Sequence, residues 1–346
     1  MNIITRGLTV AVAVGAAFGQ APSATPVIAL QNLAHTVTDL GKTVPFYRDI
    51  LGLPLNVAAG RPDPLLAAPA ALNDDMSRFT GTKGAKFRAV SFRIPNANFG
   101  FELTEFTGVA RKAVMPRIQD PGAATMVLVV RDMDTMFAKL KAAGTTIVTA
   151  GGVPINPAGG DANSKLRSVV IRDPDGFFLE ILRPDPLPAS AAATTMGDVL
   201  GGSVQVAIED TGKALAFYKS AMGFVARPSG QMRSNATVAQ LIGLQTPGVQ
   251  WRITHGSIAG TTLDWGLIEF KGVERKQLVA GAEDPGSPAF TMVVRDIDAA
   301  VAQWKAAGGT VMTTGGVAVK GPNGAGNVFV RDVNGFLFEL IQRAAQ

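Results

Sequence analysis

The sequence predicts an α+β fold: four strand–helix–strand–strand–strand (βαβββ) units, two to a domain, in two tandem domains with mixed sheets. Three observations predict it. A tight turn feeding an apolar run with one carboxylate, Arg172-Asp-Pro-Asp-Gly-Phe-Phe-Leu-Glu-Ile-Leu182, returns as Arg331-Asp-Val-Asn-Gly-Phe-Leu-Phe-Glu-Leu-Ile341. Shorter phrases return with it: Phe46-Tyr47 as Phe217-Tyr218, Val129-Val-Arg-Asp132 as Val293-Val-Arg-Asp296, and Lys141-Ala-Ala-Gly144 as Lys305-Ala-Ala-Gly308. Within each half, strand, helix and further strands recur over 27–106 and 123–182, then over 203–270 and 288–343.

Each element has a local reason. Residues 27–37 read as a strand, and Val44, Phe46, Tyr47 and Leu51 fall at helical spacing before Gly52 stops the helix. Residues 56–85 are rich in Pro, Ala and Asp and read as a long connection with one helical turn near 71–79, where a lid would sit. Strands follow at 86–94, 99–106 and 123–130, then an amphipathic helix over 133–143 ended by Gly144. Short strands at 146–148 and 168–171 precede the Phe177–Leu182 strand that closes the first half. Pro184, Pro186 and Pro188, with the Ala/Ser/Thr run after them, mark a linker. The expected divisions are a leader over 1–24, a first domain over 25–184, a linker over 185–201 and a second domain over 202–346.

Composition narrows the function. The 346 residues carry a net charge of +5 with Lys and Arg scattered, and no basic stripe interleaved with aromatics points to nucleic acid. Cysteine is absent, which removes disulfides, thiolate nucleophiles and Cys-based zinc sites, and only two histidines remain, His35 and His255. Arg6, the apolar run from Leu8 to Phe18, and small residues around Ala17, Gly19 and Ala21 follow the order of a secretory signal peptide. The run is too short for a comfortable membrane span, so a secreted or periplasmic protein with no membrane anchor is expected.

Leu33-Ala-His-Thr-Val-Thr-Asp-Leu40, Pro45-Phe-Tyr47 and Leu51-Gly-Leu53, together with the Arg172–Leu182 phrase, resemble the vicinal oxygen chelate superfamily. That superfamily includes glyoxalases, extradiol dioxygenases and fosfomycin- and bleomycin-resistance proteins, and the resemblance covers nearly all of the chain after its leader, twice. It implies tandem glyoxalase-like domains, each a pair of βαβββ units forming a cup-shaped mixed sheet. In glyoxalase-like members four ligands from the first and last strands of paired units face one cup. Carried over, this gives a metal site of His35, Glu102 and Glu180 with Thr125 in the fourth place, and a divalent ion: Zn, Ni, Mn, Co or Fe. Glu180 is the expected proton shuttle of a metal-dependent lyase or isomerase acting on a small oxygenated molecule. The alternative is a binding protein that sequesters a ligand without chemistry.

Spacing leaves the first ligand open. Thr125 lies seven residues before Asp132, and the residue seven before Asp39 is Asn32, which an unbroken strand points away from His35. Arg88, Phe92 and Phe106 are expected to line the pocket beside Thr125, and Phe101 is a further candidate. In the second domain the corresponding positions hold Val206, Gly266 and Ala289, and only Glu339 remains, so that domain reads as metal-free. His255 reads as a structural or pocket histidine, and Trp251, Trp265 and Arg252 as a possible lining of the second cup. The two domains are expected to satisfy each other within a monomer.

Overall fold

The computed structural model describes residues 26–57, 64–158, 164–194, 197–258, 261 and 264–344. The expected leader lies outside the described residues. The first unit holds β1 (Val27–Thr36), α1 (Leu40–Pro45), β2 (Ala70–Ala71), α2 (Asp74–Thr80), β3 (Lys86–Arg93) and β4 (Gly100–Thr107). The second holds β5 (Ala124–Val130), α3 (Met133–Ala142), β6 (Thr146–Ile147), β7 (Arg167–Arg172) and β8 (Phe178–Arg183), followed by α4 (Ala189–Ala193). The third holds β9 (Val199–Ile208), α5 (Thr211–Met222), β10 (Phe224–Ala226), α6 (Ala236–Leu241), β11 (Gln250–Ile258) and β12 (Trp265–Lys271). The fourth holds β13 (Pro288–Val294), α7 (Ile297–Ala306), β14 (Thr310–Val311), β15 (Val319–Lys320), β16 (Gly326–Arg331) and β17 (Leu337–Gln342).

The first helix of each unit starts from an aspartate in extended backbone. Asp39, Asp132, Asp210 and Asp296 accept the backbone N–H of Gly41, Thr135, Lys213 and Ala299, satisfying donors that the first helical turn leaves unpaired. The helix expected up to Leu51 is present but changes character at Pro45, which has no N–H to give; Phe46–Ile50 form a π turn and Gly52 ends it at φ 73°.

The units do not pair in sequence order. One sheet runs β14-β16-β17-β13-β1-β4-β3-β2, with β15 beside β16, and the other runs β10-β11-β12-β9-β5-β8-β7-β6. The first unit therefore joins the fourth, and the second joins the third. The seams are antiparallel, with Asn32 opposite Thr291 and Ala34 opposite Ala289 in one, and Thr125 opposite Gln205 in the other. This corrects the expected pairing of 27–106 with 123–182. All four units present the same alternation at the seam, so the sequence pattern alone does not specify which seam strand meets which.

One face of each sheet packs against the helices in a shared core that includes Leu33, Phe101, Met126, Leu179, Val206, Leu267, Phe290 and Phe338. The repeated turn bolts this layer together. Asp173 accepts the backbone N–H of Asp175 and Phe177 on Oδ1 and the Tyr47 hydroxyl, at 2.8 Å, on Oδ2. Asp175 accepts the Thr38 N–H at 2.8 Å and the Thr43 hydroxyl at 2.5 Å. A turn of the second sheet thus holds the helix of the first unit. Asp332 does the same for Tyr218, and Asn334 accepts the N–H of Glu209. The opposite face of each sheet is the cup of its pair of units.

Candidate functional site in the first cup

Strand alternation assigns each side chain to the core or to a cup. On β4, Phe101 and Leu103 enter the core, so Glu102, Thr104 and Phe106 face the cup. On β17, Phe338 and Leu340 enter the core, so Leu337, Glu339 and Ile341 face the same cup. Glu102 aligns with Ala34 and Ser91, while Glu339 aligns with Thr291 and Phe329. The small Ala34 and Ala289 occupy the floor between them.

Both carboxylates are half-buried and thinly supported. Glu102 accepts one hydrogen bond, from the Ser91 hydroxyl at 2.9 Å, and Glu339 accepts one from the Thr291 hydroxyl at 2.8 Å. Burial raises the Glu102 carboxyl above its ordinary value against the lowering effect of Ser91. Glu339 is pushed up to about 7, by burial first and then by the charge of Glu102, with Thr291 opposing. The charge of Glu102 is therefore felt at Glu339 across the cup.

Other buried acids are treated differently. Glu105, on the core side of β4, accepts the Leu40 N–H at 2.7 Å and faces Arg88 at 2.9 Å. Glu269 accepts from Thr211 and from Arg252, at 2.6 Å, and is held down to about 2 although burial alone would raise it. A carboxylate left without a cation in a partly enclosed site costs free energy that packing does not recover, which marks such positions as functional candidates.

The structure separates the residues expected to form the metal site. His35 shares its face with Leu33 and Val37; it is fully buried in the core, its ring 4.7 Å from Phe177 and its Nε2 3.1 Å from Asp173 Oδ2. The bulges in β1 fall before Asn32, so pairing is regular from Asn32 to Thr36 and nothing turns His35 into the cup. Glu180 lies on β8, in the other sheet, hydrogen-bonded to Ser168 at 2.8 Å and raised by burial. Thr125 is in that second cup as well. Arg88 and Phe92 face the core, the one paired to Glu105 and the other packed on Tyr47 and Phe101, so neither lines the cup. Phe101 is core for the same reason. Phe106 does line the first cup, beside Phe87 at 5.0 Å.

The donors that do meet in the first cup are Glu102 and Glu339, with the weaker oxygens of Asn32 and Thr291 nearby. No group of three His, Asp or Glu side chains converges among the described residues. An open catalytic metal centre takes three protein ligands, so these residues do not fit the imidazole–carboxylate centre that the resemblance implies.

The second cup has diverged. Its floor has Gly266 where the first cup has Glu102, and its mouth is filled by apolar side chains: Val238, Ala239, Ile242 and Leu244 pack on Trp251, Phe270, Ile253 and Ile268. In the first cup the corresponding helix is α2. Its Phe79 carbonyl accepts the Thr313 hydroxyl just as the Leu241 carbonyl accepts that of Thr149. Around it stand Ser77, Thr80 and Thr82 where the second cup has Ala239, Ile242 and Leu244, Met76 takes the place of Val238, and Thr36 and Thr104 replace Ala207 and Ile268.

The pattern that defines the Glyoxalase/Bleomycin resistance protein/Dioxygenase superfamily matches residues 29–181 and 202–340. The chain belongs to that superfamily. Among solved structures, a point mutant of glyoxalase I from Zea mays is similar at 16% identity and a TM-score of 0.55, covering 91% of this chain and 93% of that one. Unmodified glyoxalase I from Zea mays gives 16% and 0.53, covering 91% and 92%. A candidate dioxygenase from Bacillus subtilis gives 15% and 0.51, covering 92% and 86%. At these identities the likeness is one of fold. No curated protein matches the chain. No helix among the described residues is long and apolar enough to cross a membrane.

The residue that sequence reasoning set aside is Glu339. It was legible as the twin of Glu180, but its partner, Glu102, stands in the other half of the chain. Only the seam between β1 and β13 brings them together.

Proposed function

We propose that the first cup binds a small oxygen-bearing molecule and that Glu102 and Glu339 transfer a proton on it, as an isomerase or lyase of this superfamily would. The single observation that carries this reading is the pair itself. Two half-buried carboxylates, each with one hydroxyl donor and no cation, share one cup lined by Ser91, Thr36, Thr104 and Thr291. Burial raises both carboxyls, so each takes up a proton more readily than an exposed glutamate. One carboxylate then accepts a proton from carbon next to a carbonyl while the other returns one to the neighbouring position. The aromatic side chains Phe87, Phe106 and Phe329 wall the site against water. The charged, apolar and small-residue order of the N-terminal sequence supports placing this activity outside the cytoplasm.

Solvent-proton exchange tests the reading without knowledge of the natural substrate. Small α-hydroxycarbonyl compounds such as dihydroxyacetone, hydroxyacetone and lactaldehyde are incubated with the protein in deuterium oxide and followed by proton NMR. Deuterium should enter at the carbon beside the carbonyl with the wild type and with Glu180→Gln, and not with Glu102→Gln or Glu339→Gln. Exchange that survives both first-cup substitutions, or that is lost on Glu180→Gln, would overturn the assignment to this cup.

A further inference from the structure

The charges in the first cup say what kind of molecule it receives. Two carboxylates face the interior, and no Lys, Arg or His among the described residues forms an ion pair with either. The cations on the same face are turned elsewhere: Arg93 is exposed at the rim, and Arg331 gives its guanidinium to the Ala280 carbonyl. Aromatic faces stand at two sides, Phe87 with Phe106 and Phe79 stacked on Phe329 at 4.7 Å.

A second, independent feature points to a ligand. Ser287 lies two residues before Ala289 and shares its face; it is 3% exposed and its hydroxyl has no partner. Buried hydroxyls are ordinarily satisfied, so an idle one next to the Thr36–Thr104 pair leaves a hydrogen-bonding position open. Uncompensated acids, aromatic faces and a spare hydroxyl together favour a positive charge carried on an oxygen-bearing body.

We propose that the first cup takes a small organic cation, an ammonium group on a compact body bearing hydroxyl or carbonyl oxygens. This rests on the reading of the first cup as the ligand site. The ammonium meets the Glu102–Glu339 pair, the aromatic faces flank it, and the Ser287 hydroxyl reaches a ligand oxygen.

Matched probes test it on the full chain: 1-amino-2-propanol, propane-1,2-diol and lactate, then benzylamine, benzyl alcohol and benzoate. Binding is read from the backbone amide shifts of Ala34 and Thr291 and from calorimetry. The amines should bind about tenfold more tightly than their neutral partners, the anions should not bind, and salt should weaken the amines. Glu102→Gln and Glu339→Gln should each remove that preference, and Glu180→Gln should keep it. Neutral or anionic probes that shift the same amides equally well would overturn the cation while leaving the cup as the ligand site. No shift with any probe up to tens of millimolar would overturn it too, and the deuterium-exchange result then tells whether the proton-transfer reading falls with it.

Discussion

Glu102 on β4 and Glu339 on β17 line one cup, and the charge of Glu102 raises the affinity of Glu339 for its proton, although one belongs to the first repeat and the other to the last. Their meeting depends on a seam that crosses the two halves of the chain.

The coupling can be measured directly. In Glu102→Gln the charge that helps hold the Glu339 carboxyl near 7 is gone, so its pKa should fall. Carbon-13 titration of the side-chain carboxyls reads this. An unchanged midpoint would mean that the two groups do not share a cup.

Stability should carry the same signature. Glu339 binds its proton more tightly in the folded chain, at about 7 against an ordinary 4.5, so folding loses stability as pH rises between those values. Glu339→Gln removes the ionised group. It should stabilise the protein by about 1–2 kcal/mol at pH 8.5 and change little at pH 4.5. Thermal melts at the two pH values check the difference, and equal effects at both would contradict the burial of this carboxyl.

His35 should behave as a core residue. His35→Ala empties a fully buried position stacked on Phe177 and should cost about 2–4 kcal/mol in chemical denaturation. It should leave the amine preference and the deuterium exchange of the folded protein unchanged. Tyr47→Phe, which leaves Asp173 Oδ2 without its hydroxyl donor, should cost about 1–3 kcal/mol by the same assay. Loss of ligand response in a folded His35→Ala protein would return the histidine to the site.

The seam is open to cross-linking, because the chain has no cysteine of its own. Ala34→Cys with Ala289→Cys places two thiols on directly opposed residues of β1 and β13 and should oxidise to a disulfide. Thr125→Cys with Gln205→Cys should do the same across β5 and β9. Ala34→Cys with Thr125→Cys spans the pairing expected from sequence order and should not close. Gel mobility before and after reduction separates the three results.

The sequence by itself determined the units, their elements and the family. Alternation in the strands, aspartates ahead of the helices and the repeated turn are local rules, and each was legible in its own stretch. The same alternation placed Glu102 on one face of its strand and set Asn32 and His35 on opposite faces. Tertiary structure alone decided which units share a sheet, because all four offer the same seam and hydrogen bonds between strands carry no label for partner. That choice moved Glu180 and Thr125 to another cup, gave Glu102 a partner in Glu339, and turned the Asp173 phrase from suspected chemistry into the bolt between two sheets. It also decided which cup stays polar. Whether Ile242 and Leu244 or Thr80 and Thr82 stand at a cup's mouth matters only once α6 and α2 have folded over different sheets.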